Sequence, residues 1–333
     1  MEIKSENNNN FISHNPLVSV VVVSWNRKDD VAHTLNEYRK QTYKNFEIIV
    51  VDNNSTDGTK ELIKTKYPEV RLFELPENTG LKAFNIGMKN AKGEIIIISD
   101  DDANLEYDGI KKIIDKFNLN CNLCIAACRL IYSPSGVEYN WYPKETKDIT
   151  KSYDSHYFYN AGAGFRKNMI ENIGYYDEDF FMWMFEVDLS TRAIAAGYDV
   201  KYFPDIIVYH KDYTPSVKRK TDNALYYSSR NIIFYYWKYF PFNIAFGRSI
   251  VRIPFDFFWT LLKSKSIILP FKILKGIITG FNGNLKKRKA IKKQYVKKAL
   301  GYQSEIGNLY TFVRNKIKYK IKQKKTIKGI KKN

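Results

Sequence analysis

Residues 94–106 read EIIIISDDDANLE. Four isoleucines and a serine, Ile95–Ser99, run straight into three adjacent carboxylates, Asp100, Asp101 and Asp102. An apolar run of that length is the mark of a strand covered on both faces, as in parallel sheets. Three like charges at the end of such a strand repel one another in a lowered dielectric, so the cluster calls for open water or for positive charge beside it. Carboxylates gathered at a strand end suit a divalent cation with oxygen ligands, Mg²⁺ or Mn²⁺. A solvated loop, or aspartates capping a helix, is the other reading of the triplet taken alone.

The flanking sequence repeats the same alternation. LVSVVVVSW (17–25) reads as a buried strand, and DDVAHTLNEYRKQ (29–41) carries Val31, Leu35 and Tyr38 at helical spacing. FEIIVVD (46–52) is a second strand. STDGTKELIKTKY (55–67) is a second helix that Ser55 or Thr56 can cap. VRLFEL (70–75) is a third strand, NTGLKAFNIGMKNAKG (78–93) a third helix closed by Gly93, and EIIIIS the fourth strand. Strands alternating with helices predict an α/β fold, a parallel sheet with helices on both faces. Ligands of such sheets sit beyond the carboxyl ends of the strands, where Asn26, Asp52 and Asp100–Asp102 all fall. Further on, a helix is expected around 108–118 and a short strand near 124–131. A Tyr/Pro-rich loop follows over 132–159, then a helix from Glu186 to Gly197. VKYFPDIIVYH (200–210) reads as an edge strand ending at His210.

Charge divides the chain. Its net charge is +19, but residues 211–333 hold 30 basic and 4 acidic side chains, while residues 1–210 sum to −7. Residues 1–16 are polar, Asn-rich and expected to be loose, without the pattern of a signal peptide. Residues 17–215 form the expected main domain, with halves at 17–103 and 104–215. Residues 216–333 form a basic, aromatic-rich helical extension without a run long enough to span a membrane. The three cysteines of CNLCIAAC (121–128) rule out a disulfide framework. They read as small apolar residues on a buried segment in preference to a metal cluster.

There is no G-x-G-x-x-G after a strand and no G-x-x-x-x-G-K-[ST]. SDDDA faintly suggests an aspartyl-phosphate phosphatase, but that chemistry wants its aspartate after the first strand, and Thr or Val in place of Ala103. Six segments, in order, resemble the inverting family 2 glycosyltransferases of the GT-A fold, in particular the rhamnosyltransferase-like, single-addition branch. They are VSVVVVSWNR, QTYKNFEIIVVDNNSTDGT, LPENTGLKAFNIGMKNAKGEIIIISDDDA, GYYDEDFFMWMFEVDLSTRAIAAGYDV, VYH and YYSSRN, between Val18 and Lys238.

The resemblance implies a nucleotide-diphosphate sugar donor and a D-x-D element at Asp100 and Asp102, with Asp102 on the metal and Asp100 toward the ribose or metal. Asp101 lies between them on the donor side. It implies that Asp52 accepts from the nucleobase and that Ser24, Trp25, Asn26 and Arg27 frame base and ribose. Asn78, Gly80 and Asn85 match a donor-side N-x-G…N-x-G stretch. Asn53, Asn54 and Asp57 suit turn and cap chemistry equally well. The family's base lies in an E-D-x-D segment; here it reads FEVD, so Glu186 stands at the base position and Phe185 replaces the preceding acid. Asp188 is the fallback base, about 200° from Glu186 around a helix. His210 matches a further metal ligand. Trp183, Gly162 and Phe185 are placed on the acceptor side, with Tyr175 as a second ring for stacking. Arg230 with Asn231, or the basic SVKRK segment (216–220), would approach the donor phosphates.

A Q-x-x-R-W signature and spanning helices, both typical of processive relatives, are absent from the sequence, which fits addition of one sugar or a few. Segments 246–281 mix bulky apolar and cationic residues and suit helices lying in the interface of an anionic membrane. Lys runs also bind nucleic acid, but no recognisable nucleic-acid module accompanies them. The expectation is a cytoplasmic enzyme on the inner face of the cell membrane, acting on a glycan or lipid-linked acceptor, with oligomeric state open. The competing class is a non-catalytic protein that keeps the fold and binds membrane or polyanion through its basic C-terminal region.

Overall fold

The computed structural model describes residues 12–138, 148–181, 183–212, 221–263, 268–284 and 288–300. The alternation expected from sequence appears as β1 (Val18–Ser24), α1 (Lys28–Arg39), β2 (Phe46–Asp52), α2 (Thr59–Lys66), β3 (Arg71–Glu74), α3 (Lys82–Asn90) and β4 (Ile95–Asp100). A short β5 (Ala103–Leu105) follows the aspartates. Then come α4 (Gly109–Leu119), β6 (Leu123–Ser133), β7 (Val137–Glu138), β8 (Tyr153–Asp154), β9 (Gly164–Arg166), α5 (Lys167–Ile173), α6 (Phe185–Ala195) and β10 (Asp199–Lys211). Helices α7 (Thr221–Tyr239), α8 (Phe242–Lys263), α9 (Ile268–Asn284) and α10 (Lys293–Leu300) complete the described chain.

The sheet order is β3-β2-β1-β4-β9-β6-β10-β5. The first four strands are parallel, and β9 runs antiparallel to both β4 and β6. Its central strands carry unbroken apolar runs, Val20–Val23, Ile48–Val51 and Ile95–Ile98, because both faces are covered. Val20, Val22, Val50 and Ile97 face one core with Leu35 and Tyr38 of α1; Val21, Val51, Ile96 and Ile98 face the other with α3, α6 and α7.

Several local expectations are corrected. Strand β10 is not an edge: it pairs in parallel with β6 on one side, and with β5 and β8 on the other. Helix α2 is not capped by Ser55 or Thr56; Asp57 accepts from the Thr59 amide at 3.1 Å and its hydroxyl at 2.5 Å, and Gly58 sits in the left-handed region. Gly93 does not end α3, whose C-cap is Ala91. It lies where any side chain would strike the Leu17 carbonyl and the Ser19 amide, each 2.6 Å from a would-be Cβ.

Residues 12–16 are tied down, Ser13 through Glu94 and Pro16 through the Tyr43 hydroxyl; residues 1–11 lie outside the described residues. Packing crosses residue 215: Phe234, Tyr235, Tyr239 and Phe240 are buried in the same core as Leu189 and Ala193 of α6. The cysteines are free thiols, with Cys124 and Cys128 buried in β6 and Cys121 exposed. Segments SVKRK (216–220) and 301–333 lie outside the described residues.

Candidate active site

Strand register builds the site. Ser24 of β1 lies beside Asp52 of β2, and Val23 lies beside Asp100 of β4, so the carboxyl ends of three neighbouring strands deliver their polar residues to one rim. Asp52 is fully buried; its Oδ2 accepts from the Ser55 amide at 2.9 Å, while Oδ1 has no hydrogen-bond partner. The Ser24 hydroxyl is buried and unpartnered as well. A buried carboxylate oxygen without a donor costs on the order of 1–3 kcal/mol, which a ligand N–H would relieve.

Beyond β4 the aspartates part company. Asp100 and Asp102 come together with His210, at the end of β10, so that one ligand atom from each lies within 4.8 Å of the others. His210 Nε2 is 3.3 Å from Asp102 Oδ1 and 3.9 Å from Asp100 Oδ2. Its Nδ1 faces the Lys211 carbonyl at 2.9 Å, leaving Nε2 for the carboxylates. The second oxygen of Asp102 is held by Arg27, which also pairs with Asp30 at 3.2 Å. Two carboxylates and an imidazole form a hard, mostly oxygen donor set that fits Mg²⁺ or Mn²⁺. The antiparallel pairing of β5 with β10 sets His210 opposite Ala103 and so brings the imidazole to the aspartates.

Asp101 turns the other way. It accepts from the Trp25 amide at 3.3 Å and stands 3.8 Å from Arg27 Nε, and the Thr34 hydroxyl holds its carbonyl. Burial, with Asp102 adding to it, pushes its carboxyl up to about 8. It therefore fixes the β1–α1 loop and is not one of the three grouped ligands. In that loop Asn26 takes a positive φ of 52°, and its side chain accepts from the Thr56 amide at 2.7 Å. Trp25 is half exposed at the rim.

Glu186 lies in the first turn of α6, partly buried. Burial raises its carboxyl to about 8, and the nearby negative charge of Asp100 adds to the rise. Two consecutive residues with left-handed backbone, Trp183 (φ 66°) and Met184 (φ 68°), start this helix abruptly. Non-glycine residues held there cost about 1 kcal/mol or more each, and such strain clusters at working sites. Asn231 of α7 holds the Trp183 carbonyl at 3.1 Å.

Asp188, the fallback base, is sealed. It is fully buried and accepts from Lys238 at 2.8 Å, Tyr239 at 2.6 Å and Arg192 at 2.9 Å, while Lys238 also reaches Asp177 at 2.6 Å. With its oxygens committed to two cations and a phenol, Asp188 anchors α6 to α7 and has no route to an acceptor hydroxyl. Glu186, two residues before it, is the acid of this helix that feels the charge of Asp100.

Other sequence candidates divide. Asn78 accepts from Asn53 and from the Gly80 amide, each at 3.0 Å, so it shapes the loop before α3. Gly80 (φ 58°) lies under Phe181, whose ring would be 2.6 Å from an added Cβ. Asn85 bonds to the Tyr176 backbone at both ends of its amide. Arg230 donates to the Asp179 carbonyl at 2.7 Å and to Asn231 at 2.8 Å, on the α6 side and not on the aspartates. Trp183 is exposed just before α6, whereas Phe185 packs edge-on against Tyr176 at 5.1 Å. Gly162 is not at an acceptor surface. It is buried with φ 87°, and an added Cβ would lie 2.3 Å from Val208.

Sequence reading missed Asn160 and Tyr176. The Tyr176 hydroxyl donates to Asn160 at 2.6 Å, and Asn160 donates in turn to Asp100 at 3.4 Å, a relay that orients the carboxylate. NAGAG and GYYD gave no cue, because only the antiparallel entry of β9 beside β4 brings them there.

Comparison with known proteins agrees with this geometry. The fold is GT-A: a mannosyltransferase from Pyrobaculum calidifontis, solved with GDP-Man and Mn²⁺, superposes over 95% of this chain and 84% of its own at a TM-score of 0.54 and 19% identity. Residues 19–189, more than half the chain, match Glycosyl transferase family 2, and the chain belongs to that family. Similar proteins include the glycosyltransferase AglE of Haloferax volcanii, 25% identical over 59% of this chain and 67% of its own length. A dolichyl N-acetyl-glucosaminyl phosphate diacetamido-dideoxy-glucuronosyltransferase of Methanococcus voltae is 24% identical over 74% and 80%. The match covers only 19% of the hyaluronan synthase of Pasteurella multocida.

Proposed function

We propose that this glycosyltransferase is metal-dependent and inverting, of the rhamnosyltransferase-like, single-addition branch. It would move one sugar from a nucleotide-diphosphate sugar to a hydroxyl of a glycan or lipid-linked acceptor in cell-surface polysaccharide synthesis. The observation that carries the reading is the meeting of Asp100, Asp102 and His210 at a strand rim beside Glu186. The neighbour solved with GDP-Man and Mn²⁺ supports the donor class.

In this reading Asp52 accepts from the base through its open Oδ1, and Ser24 and Asn26 line the ribose. Asp100, Asp102 and His210 would hold Mg²⁺ or Mn²⁺, and the ion would supply Lewis-acid stabilisation of the diphosphate. Glu186 accepts the proton of the acceptor hydroxyl; the oxygen bonds to C1 as the C1–oxygen bond to the diphosphate breaks, and the configuration inverts. Arg27, seated on Asp102, balances the carboxylate charge. Trp183 offers a ring face to the acceptor sugar. The acceptor is met at the inner face of an anionic membrane, to which the basic C-terminal half attaches.

The test is hydrolysis of a panel of sugar nucleotides by the purified chain with Mn²⁺, Mg²⁺ or EDTA. Metal-dependent release of nucleotide diphosphate is expected. Absence of turnover with every donor would favour the non-catalytic class.

A further inference from the structure

Helix α8 is amphipathic in the inverted sense. At 100° per residue, Phe242, Phe246, Ile250, Val251, Phe258 and Leu261 occupy one arc of about 180°. All six are exposed, with Phe242 and Phe258 61% and 58% accessible. The charged residues described on this helix lie on the opposite arc. Arg252 pairs with Asp256 at 2.9 Å, Asp256 accepts from Ser229 of α7 at 3.0 Å, and the Arg248 guanidinium lies 5.8 Å from the Tyr236 ring. Small residues seal the inward seam: Ala245 is buried, and Ser249 accepts from Trp237 at 2.9 Å. On α9, Phe271 and Ile278 are exposed, with Lys275 exposed beside them.

A water-facing helix puts its apolar arc inward; here the polar contacts face the protein and the apolar arc faces out. An exposed apolar surface of this extent marks a site that something covers. Charge selects the occupant. Residues 241–300 hold fourteen Lys or Arg and a single acidic residue, Asp256. Among the described residues no helix is long and apolar enough to cross a membrane. Bulky rings and aliphatics on one arc, and an opposite arc too charged for the 22-residue helix to span, are the requirements for lying in a lipid headgroup region.

We infer that the outward arc of α8, from Phe242 to Leu261, inserts into the headgroup boundary of an anionic lipid membrane, with Phe271 and Ile278 of α9 beside it. The inference deepens the proposed function and rests on it only for the acceptor's location. Asn231 of α7 holds the Trp183 carbonyl at the head of the catalytic helix, and α7 leads directly into α8. A docked α8 would thus hold the acceptor side of the cleft at a fixed height over the lipid.

The experiment is pelleting of the full chain with phosphatidylcholine vesicles, with and without about 30% phosphatidylglycerol. It compares the wild type, Phe246→Ser/Ile250→Ser/Phe258→Ser, and Ile250→Glu alone. The wild type should pellet with anionic vesicles and stay largely bound at about 0.5 M salt, where charge attraction is screened. The triple variant should bind at least about tenfold more weakly, with the residue lost at high salt, and the single variant should move the same way. Sugar-nucleotide hydrolysis without vesicles should be unchanged in both variants, so failure of hydrolysis in the wild type would overturn the proposed activity and leave docking standing. Wild-type and variant binding that coincide at both salts would overturn docking. So would wild-type release at high salt, or a dimer that the substitutions dissociate with pelleting unaltered.

Discussion

Replacing Glu186 by glutamine separates chemistry from binding. The carboxyl, ordinarily at 4.5, stands at about 8 because of burial and Asp100. At pH 7 about one molecule in ten carries the carboxylate, and at pH 9 about nine in ten, so kcat/KM should climb about tenfold over that interval. Glu186→Gln should cost about 10²–10⁴ in kcat and flatten the limb, with donor affinity by calorimetry nearly unchanged. A second readout needs no turnover. A carboxyl raised in the folded state holds protons that the unfolded chain releases, so its contribution to stability is complete below about 4.5 and is lost as pH rises toward 8. A rise from 4.5 to about 8 corresponds to at most about 5 kcal/mol, and partial solvation reduces it. Glu186→Gln, uncharged at every pH, should therefore melt higher than the wild type at pH 8.5 and close to it at pH 4.5. A limb near pH 8 that persists in the variant, or a variant melting lower at pH 8.5, would refute the reasoning.

Asp102→Asn should weaken Mn²⁺ binding, followed by titration calorimetry, by more than about tenfold and abolish metal-dependent hydrolysis. Asp52→Asn should lower nucleotide affinity about tenfold or more, the worth of a hydrogen bond to a charged acceptor, without altering Mn²⁺ affinity. Lys238→Met would leave Asp188 buried with one cation fewer, and chemical denaturation should show a loss of about 3–5 kcal/mol. Gly162→Ala combines a left-handed backbone with a clash against Val208, so its melting temperature should fall by an amount equivalent to about 2–4 kcal/mol.

Those tests reach residues that differ in how visible they were beforehand. The strands were legible because Val20–Val23, Ile48–Val51 and Ile95–Ile98 are apolar at every position, a pattern that two covered faces demand. Their carboxyl ends followed from topology, and with them Asn26, Asp52 and Asp100–Asp102. Glu186 and His210 were singled out only through the resemblance to the family. What stayed hidden depends on pairings that no local pattern records. Three-residue β5 has too few positions for a period, yet it turns β10 from an edge into an interior strand and fixes His210 against the aspartates. The Lys238–Asp188 pair joins residues fifty positions apart, and in sequence Lys238 is one cation in an aromatic helix. Asp101 looked like its neighbours because three identical letters cannot show that the chain turns between them.

The parallel register of β2, β1 and β4 makes the sheet a ruler. Asp52, Ser24 and Asp100 sit on adjacent strands, so two inter-strand steps of about 4.8 Å set the strands that carry the two aspartates roughly 10 Å apart. A slip of one residue in β1 would swing Ser24 to the opposite face and leave both graduations beside it unmoved. Alteration of donor preference therefore belongs to the loops that overhang the scale, since the scale itself cannot be lengthened by a fraction.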